Sequence, residues 1–174
     1  MHTKVKKTVL TALFAAVISV ASFISIPILG VPITLQTFAI PLALFTLGGV
    51  SGLVAILVYF CLGLVGLPVF AGFTGGFGAL FGPTGGFIIG FLLLGIVYIV
   101  ACCLFKGKRL GRIIGYSVGH IIMYAVGSVW YYVGFADGAS FLAVLLITVL
   151  PFVIPDIIKV YLAFLVSKRV RRRI

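Results

Sequence analysis

From residue 8 to residue 105 the chain contains no Asp, Glu, Lys or Arg. So long an apolar stretch cannot be one buried helix, and it is read as several membrane spans of ~20 residues each. Punctuation inside it marks their ends. A first apolar run, about 8–26, stops at the Pro27–Pro32 segment. Gln36 and Thr37 open a second span, about 36–49, in which Pro41 is tolerated because neighbouring groups in a membrane bundle satisfy the freed backbone. Glycines 48, 49 and 52 make a tight turn into a third span, about 52–65. A fourth covers about 84–105. The fifth, about 112–133, ends in Trp130-Tyr131-Tyr132, a composition suited to a membrane interface. Residues 140–150 form an apolar helix too short to cross, and a last span, about 155–168, runs into the basic tail.

Charge placement gives orientation. Three clusters hold twelve of the thirteen basic residues: Lys4, Lys6 and Lys7; Lys106, Lys108, Arg109 and Arg112; and Lys168, Arg169, Arg171, Arg172 and Arg173. Clusters flanking apolar spans are the positive-inside pattern. All three share the cytoplasmic side only if an even number of spans separates them, four and then two. The expected architecture is an all-α integral membrane protein of the cell membrane: one domain over 1–174, six spans, both termini cytoplasmic. Lys4–Lys7 followed by an apolar run ending at Val20-Ala21-Ser22 also resembles a signal peptide, but the length suits a retained first span.

Composition agrees. The chain is 63% hydrophobic and 9% charged, with a mean hydropathy of +1.40; soluble domains carry ~25% charged residues. The net charge of +11 is explained by clusters that meet anionic headgroups, which makes nucleic acid the weaker explanation. Cys61, Cys102 and Cys103 read as small buried hydrophobes, with palmitoylation of the 102–103 pair conceivable. No metal-ligand spacing is present.

The thirteenth basic residue, Lys159, lies three positions after Asp156, and the pair occurs inside an apolar span. Residues at this spacing share a helical face. Pro155 is expected at the first helical position, which would put Asp156 in the first turn, where the helix dipole favours a carboxylate. Charges at membrane depth usually line a pathway or cavity; the alternative is a structural pair pinning the helix end.

Half of all glycines fall in residues 63–95, interleaved with Phe70, Phe73, Phe77 and Phe81. Such a loop can form an apolar binding surface with backbone donors exposed, or it can simply seal the outer face. No Lys-Ser/Thr follows the glycines, so it is not a phosphate loop. The fourth span would point its N-terminus at the same outer pocket and add positive potential there. Ala12 and Ala16 make a small-xxx-small step on the first span, permitting close approach of another helix, though alanine's helix propensity explains them equally. His120 has no acidic neighbour in sequence and is read as a hydrogen-bonded structural residue. Asp137 lies in an outer turn.

Four segments, in order, carry a resemblance: Val31-Pro-Ile-Thr-Leu-Gln-Thr-Phe38, Gly66-Leu-Pro-Val-Phe-Ala-Gly72, Gly82-Pro-Thr-Gly-Gly86 and Pro155-Asp-Ile-Ile-Lys159. Together, over nearly the whole chain, they resemble the BioY family, biotin-binding S components of energy-coupling-factor (ECF) transporters. The likeness implies a six-helix S-component fold, high-affinity biotin capture on the outer side, and ATP-dependent uptake through an energising module of one transmembrane coupling protein and two ATPase subunits. It also implies that Ala12 and Ala16 contact the coupling protein. Where the family often has Pro-Gly-Asp, this chain has Ile154-Pro155-Asp156, a change in a cap rather than a ligand. Some relatives carry a basic residue in the fourth span; this chain has none, which leaves recognition of the biotin carboxylate open.

Biotin's chemistry suits these residues. Its ureido ring has two N–H donors and one carbonyl acceptor. Asp156 can accept the donors, and Lys159 can donate to the carbonyl or to the valerate carboxylate. Phe70 and its neighbours would wall the thiophane ring. Gln36, Thr37 and Thr84 are candidate secondary hydrogen-bonders, and the N–H groups of Gly75, Gly76 or Gly86 could serve the carboxylate. No cofactor is expected, biotin being the transported ligand. The main alternative is a stand-alone transporter of biotin or another small solute, which would normally need several intramembrane carboxylates or an inverted repeat. An intramembrane enzyme lacks a nucleophile–base arrangement, and a purely structural helix-packing protein would bind no solute.

Overall fold

The computed structural model describes residues 2–28 and 30–174. The order is α1 (His2–Phe23), β1 (Ser25–Ile26), β2 (Ile33–Thr34), α2 (Gln36–Leu47), α3 (Gly49–Leu64), α4 (Gly76–Leu80), α5 (Gly85–Leu104), α6 (Arg109–Phe135), α7 (Phe141–Thr148) and α8 (Leu150–Arg171). Among the described residues, four segments are long and apolar enough to cross a membrane: Lys4–Phe23, Gly85–Leu104, Arg109–Phe135 and Phe141–Arg171. The molecule is a multi-pass, all-α membrane protein.

Its centre is α2. A helix hydrophobic on every side must be surrounded, and ten of the twelve α2 residues are buried. Helices α1, α3, α5 and α8 pack around it. Pro41 lies inside this helix, as expected for a site whose backbone is shielded by neighbours. Gly48, at φ 84°, turns the chain into α3. A Cβ on Gly52 would lie 2.8 Å from the Leu44 Cα, so the two short helices touch backbone to backbone.

The most extensive helix pair is α5 with α6. Gly111, Gly115 and Gly119 repeat every fourth residue along α6, a spacing that aligns them on one face. A Cβ on Gly115 would be 2.5 Å from the Ala101 Cβ, and one on Gly119 would be 2.9 Å from the Leu94 carbonyl. This is small-residue packing, which lets membrane helices gain dispersion contacts at close range. In return α5 offers Gly86 beneath Trp130 and Gly90 beneath Met123.

Two differences from expectation concern segment ends. On either side of the proline-bounded segment, a two-residue antiparallel ribbon pairs Ser25 with Thr34 and Ile26 with Ile33. The last long helix begins at Leu150, not Pro155. Pro151 takes the early helical position, and Pro155 lies inside α8, so Asp156 belongs to the second turn and not the first. The break falls at Val149, at φ −123° and ψ −53°, which separates α7 from α8.

The basic clusters gather at one end. Lys6 donates to the Ile174 carbonyl, Arg171 Nη1 donates to the Phe45 carbonyl at 3.5 Å, and Arg109 and Lys168 both face the Phe164 ring, at 5.0 and 4.4 Å. At the opposite end the 65–84 loop forms a roof. Ser22 Oγ holds it by donating to the Val69 carbonyl at 2.6 Å, and Trp130 Nε1 holds it by donating to the Gly82 carbonyl at 3.0 Å.

Candidate ligand-binding site

Beneath the roof, α8 directs Asp156 and Lys159 toward the N-terminal end of α2. Asp156 is 2% exposed, so its charge is tolerable only if both carboxylate oxygens are engaged. They are. Oδ1 accepts from Lys159 Nζ at 2.8 Å and from Thr37 Oγ1 at 2.7 Å. Oδ2 accepts from the Tyr124 hydroxyl at 2.6 Å. His120 Nε2 lies 3.4 Å from the same oxygen, with hydrogen-bond geometry unmet, and its Nδ1 is 3.2 Å from the Tyr116 hydroxyl.

Lys159 uses its three donors on Asp156, on Thr37 Oγ1 at 2.8 Å and on the Thr34 carbonyl at 2.9 Å. An ammonium has three donors and no acceptor, so Lys159 is fully occupied. Thr34 joins this cluster to a second network. Its hydroxyl donates to Gln36 Oε1 at 3.0 Å, and Gln36 Nε2 donates to the Tyr59 hydroxyl, with Tyr59 1% exposed. One continuous set of polar contacts thus runs from α6 through α8 and the ribbon to α3.

A cavity of about 50 Å³ adjoins the cluster. Its polar wall comprises Thr34, Gln36, Thr37, Thr84, Tyr124, Thr148 and Asp156; its apolar wall comprises Phe87, Ile88, Phe91, Met123 and Phe152, with Val31, Pro32 and the roof residue Ala71 above. Among these lining residues there is no Lys or Arg. A second space of about 600 Å³ opens between α6 and α8 on the other side of Asp156. Tyr124 and Asp156 border both.

Of the residues singled out from the sequence, Gln36, Thr37, Thr84 and Asp156 line the cavity, and Lys159 stands behind Asp156 and Thr37. Phe70 does not line it. It belongs to the roof loop and is itself buried, edge-on to Tyr59 at 5.5 Å. Phe73, Phe77 and Phe81 are exposed at 65, 64 and 69%, so the aromatic wall comes instead from the helical residues Phe87, Phe91 and Phe152. Gly75, Gly76 and Gly86 also lie outside the lining. Gly75 leaves no room for a Cβ against the Leu67 carbonyl, 2.2 Å away; Gly76 sits at φ +77°; Gly86 is pressed against Trp130. Their nearest neighbours are parts of the protein's own packing. Ala12 and Ala16 are exposed on the outer face of α1, on the same helix as exposed Val9, Leu13 and Val20.

Tyr124 and Thr34 were not singled out, and His120, without an acidic neighbour in sequence, is brought by the fold to 3.4 Å from Asp156. The detectable signal was the four-residue spacing of Tyr116, His120 and Tyr124, one polar stripe on an otherwise apolar helix.

Comparison with known proteins gives one answer. The model of the BioY family matches residues 1–174. A protein of Pyrococcus horikoshii named a probable biotin transporter BioY is 39% identical over 97% of this chain and 98% of its own length. Biotin transporter BioY2 of Lactococcus lactis is 40% identical over 92% of this chain and 87% of its own. A crystal structure described as the S-component for biotin from an ECF-type ABC transporter superposes with a TM-score of 0.84 and 30% identity, covering 98% of this chain and 93% of that one. Whole-length agreement in sequence model, relatives and fold means that this chain belongs to the BioY family.

Proposed function

We propose that the chain is a high-affinity biotin-binding S component of an ECF transporter, delivering biotin inward with a transmembrane coupling protein and two ATPase subunits. The observation that carries the reading is a buried carboxylate, Asp156, set in the wall of an otherwise mainly apolar cavity. An ionised carboxylate accepts the two N–H groups of a cyclic urea, and an aromatic and aliphatic wall suits the fused thiophane ring. Lys159 acts through Asp156 and Thr37, which it holds in place, since all its donors are already used. In place of a basic side chain, Thr84 and the N-terminus of the 20-residue α5 at the same wall offer the valerate carboxylate a favourable dipole.

Ligand pockets usually measure ~300–1,000 Å³, against about 50 Å³ here. Entry therefore requires displacement of the cover: the roof, the ribbon tip, or both. In this reading α2 and α3 complete six crossings, the basic end with both termini faces the cytoplasm, and the cavity opens outward. The exposed Ala12–Ala16 face of α1 meets the coupling protein.

Calorimetric titration of the detergent-purified protein with biotin tests this. Wild type should bind tightly, and Asp156→Asn should weaken binding by at least tenfold, because removing one partner of a buried charged hydrogen bond costs ~2–5 kcal/mol. Folded wild type that gives no heat with biotin would overturn the substrate. Uptake in vesicles that persists without the ATPase subunits would overturn the S-component assignment and favour a stand-alone transporter.

A further inference from the structure

The space between α6 and α8 is not part of the biotin reading and has its own chemistry. These two helices pack chiefly on α5 and α2, leaving an apolar groove of about 600 Å³ bordered by Ile113, Ile121, Ile157, Val160 and Tyr161. From Arg109 to Tyr124 the groove follows α6 for ~22 Å, more than the ~15 Å depth of one leaflet's hydrocarbon. At the basic end it runs into a second space of about 230 Å³, because Phe45, Arg109 and Phe164 belong to both walls.

That second space is a concentration of cations. Arg109, Arg112, Lys168, Arg171 and Arg172 line it, with no carboxylate side chain among its lining residues. The Nε of Arg112 is buried and, among the described residues, has no hydrogen-bond partner. A buried guanidinium N–H left unsatisfied is costly, and five cations held together repel one another. Both costs are relieved by an anion. Arginine forks match phosphate oxygens, and the groove leading away from the cations is apolar and opens on the membrane face, where Ile121 and Ile157 are each 65% exposed.

We propose that this groove is a binding site for one anionic phospholipid, its phosphate held by Arg109, Arg112 and Arg171 and one acyl chain lying between α6 and α8 as far as Tyr124. The lipid fills the gap on the far side of the Asp156 partition. The site does not depend on which solute the outer cavity takes.

Native mass spectrometry of the detergent-purified full chain, titrated with phosphatidylglycerol, phosphatidylcholine or inorganic phosphate, tests it. One phosphatidylglycerol should be retained selectively over phosphatidylcholine. The double variant Arg109→Ala/Arg112→Ala should lower its binding constant by about thirtyfold, from the loss of two cations near a headgroup. Lys106→Ala/Lys108→Ala, on the exposed loop outside the groove, should leave it unchanged. Ile121→Trp keeps every cation but obstructs the groove and should weaken retention tenfold or more; it decides the matter if the arginine variant does not fold. Equal losses in the two charge variants, retention unaffected by Ile121→Trp, or phosphate competing as well as the lipid would each overturn a lipid site.

Discussion

The Tyr124 hydroxyl on α6 reaches Asp156 Oδ2 on α8 at 2.6 Å, and these two side chains form a partition between an outer cavity and a lateral groove. Because α6 and α8 otherwise meet sparingly, this bond is a principal tie between them. Hydrogen bonds to charged groups contribute ~1.5–3 kcal/mol. Tyr124→Phe should therefore lower unfolding stability by about that amount, read as a drop in Tm of the detergent-solubilised protein, without loss of helical circular dichroism. An unchanged Tm would show that the tie carries little load.

Lys159 and Asp156 should behave as a unit. Lys159→Met leaves the carboxylate, Thr37 and the Thr34 carbonyl without their shared donor, and breaking a buried pair from one side costs ~3–5 kcal/mol. Asp156→Asn/Lys159→Met removes both charges and should be less destabilised than Lys159→Met alone. A double-mutant cycle of denaturation free energies measures this; simple additivity would contradict the coupling.

Close packing between α5 and α6 predicts a sharp contrast among glycine variants. Gly119→Val puts a branched side chain where a Cβ already lies 2.9 Å from the Leu94 carbonyl, so overpacking should cost ~1–3 kcal/mol or more. Gly78→Ala and Gly134→Ala enter open space at ordinary backbone angles and should change Tm by no more than a degree or two. Thermal unfolding of the three variants side by side provides the check.

Ala12 and Ala16 face outward, so Ala12→Trp and Ala16→Trp should leave Tm and biotin titration unchanged. Their effect should appear only in co-purification with the coupling protein and in vesicle uptake, each reduced at least tenfold if this face docks the partner. Loss of biotin binding instead would relocate their role to folding.

The helical segments were legible because apolar runs and basic clusters are governed by transfer free energies that act locally along the chain. Gln36 as the start of α2 and the basic ends of α6 and α8 follow from that alone. Pro155 was misplaced as a helix start because Pro151, four residues earlier, satisfies the same requirement, and proline spacing cannot choose between them. Asp156 and Lys159 are three residues apart and could be paired by helical periodicity. Their partners Thr34, Thr37, His120 and Tyr124 are separated from Asp156 by 32 residues or more along the chain and are brought in only by tertiary packing. The glycine-rich roof drew attention for its backbone freedom, yet glycines in α6 with a plain four-residue repeat define the largest helix interface.

One proton of Lys159 is committed to the Thr34 carbonyl, at the end of the ribbon that covers the cavity. Lifting that ribbon strips a partly buried ammonium of a partner, and any solute that draws Asp156 away from Lys159 alters the same balance. In the proposed biotin reading, occupancy and the cover are linked reciprocally: whatever free energy a bound solute adds to closure, closure must return as affinity. In the proposed biotin reading, a single lysine makes the ribbon a reporter of the cavity's contents.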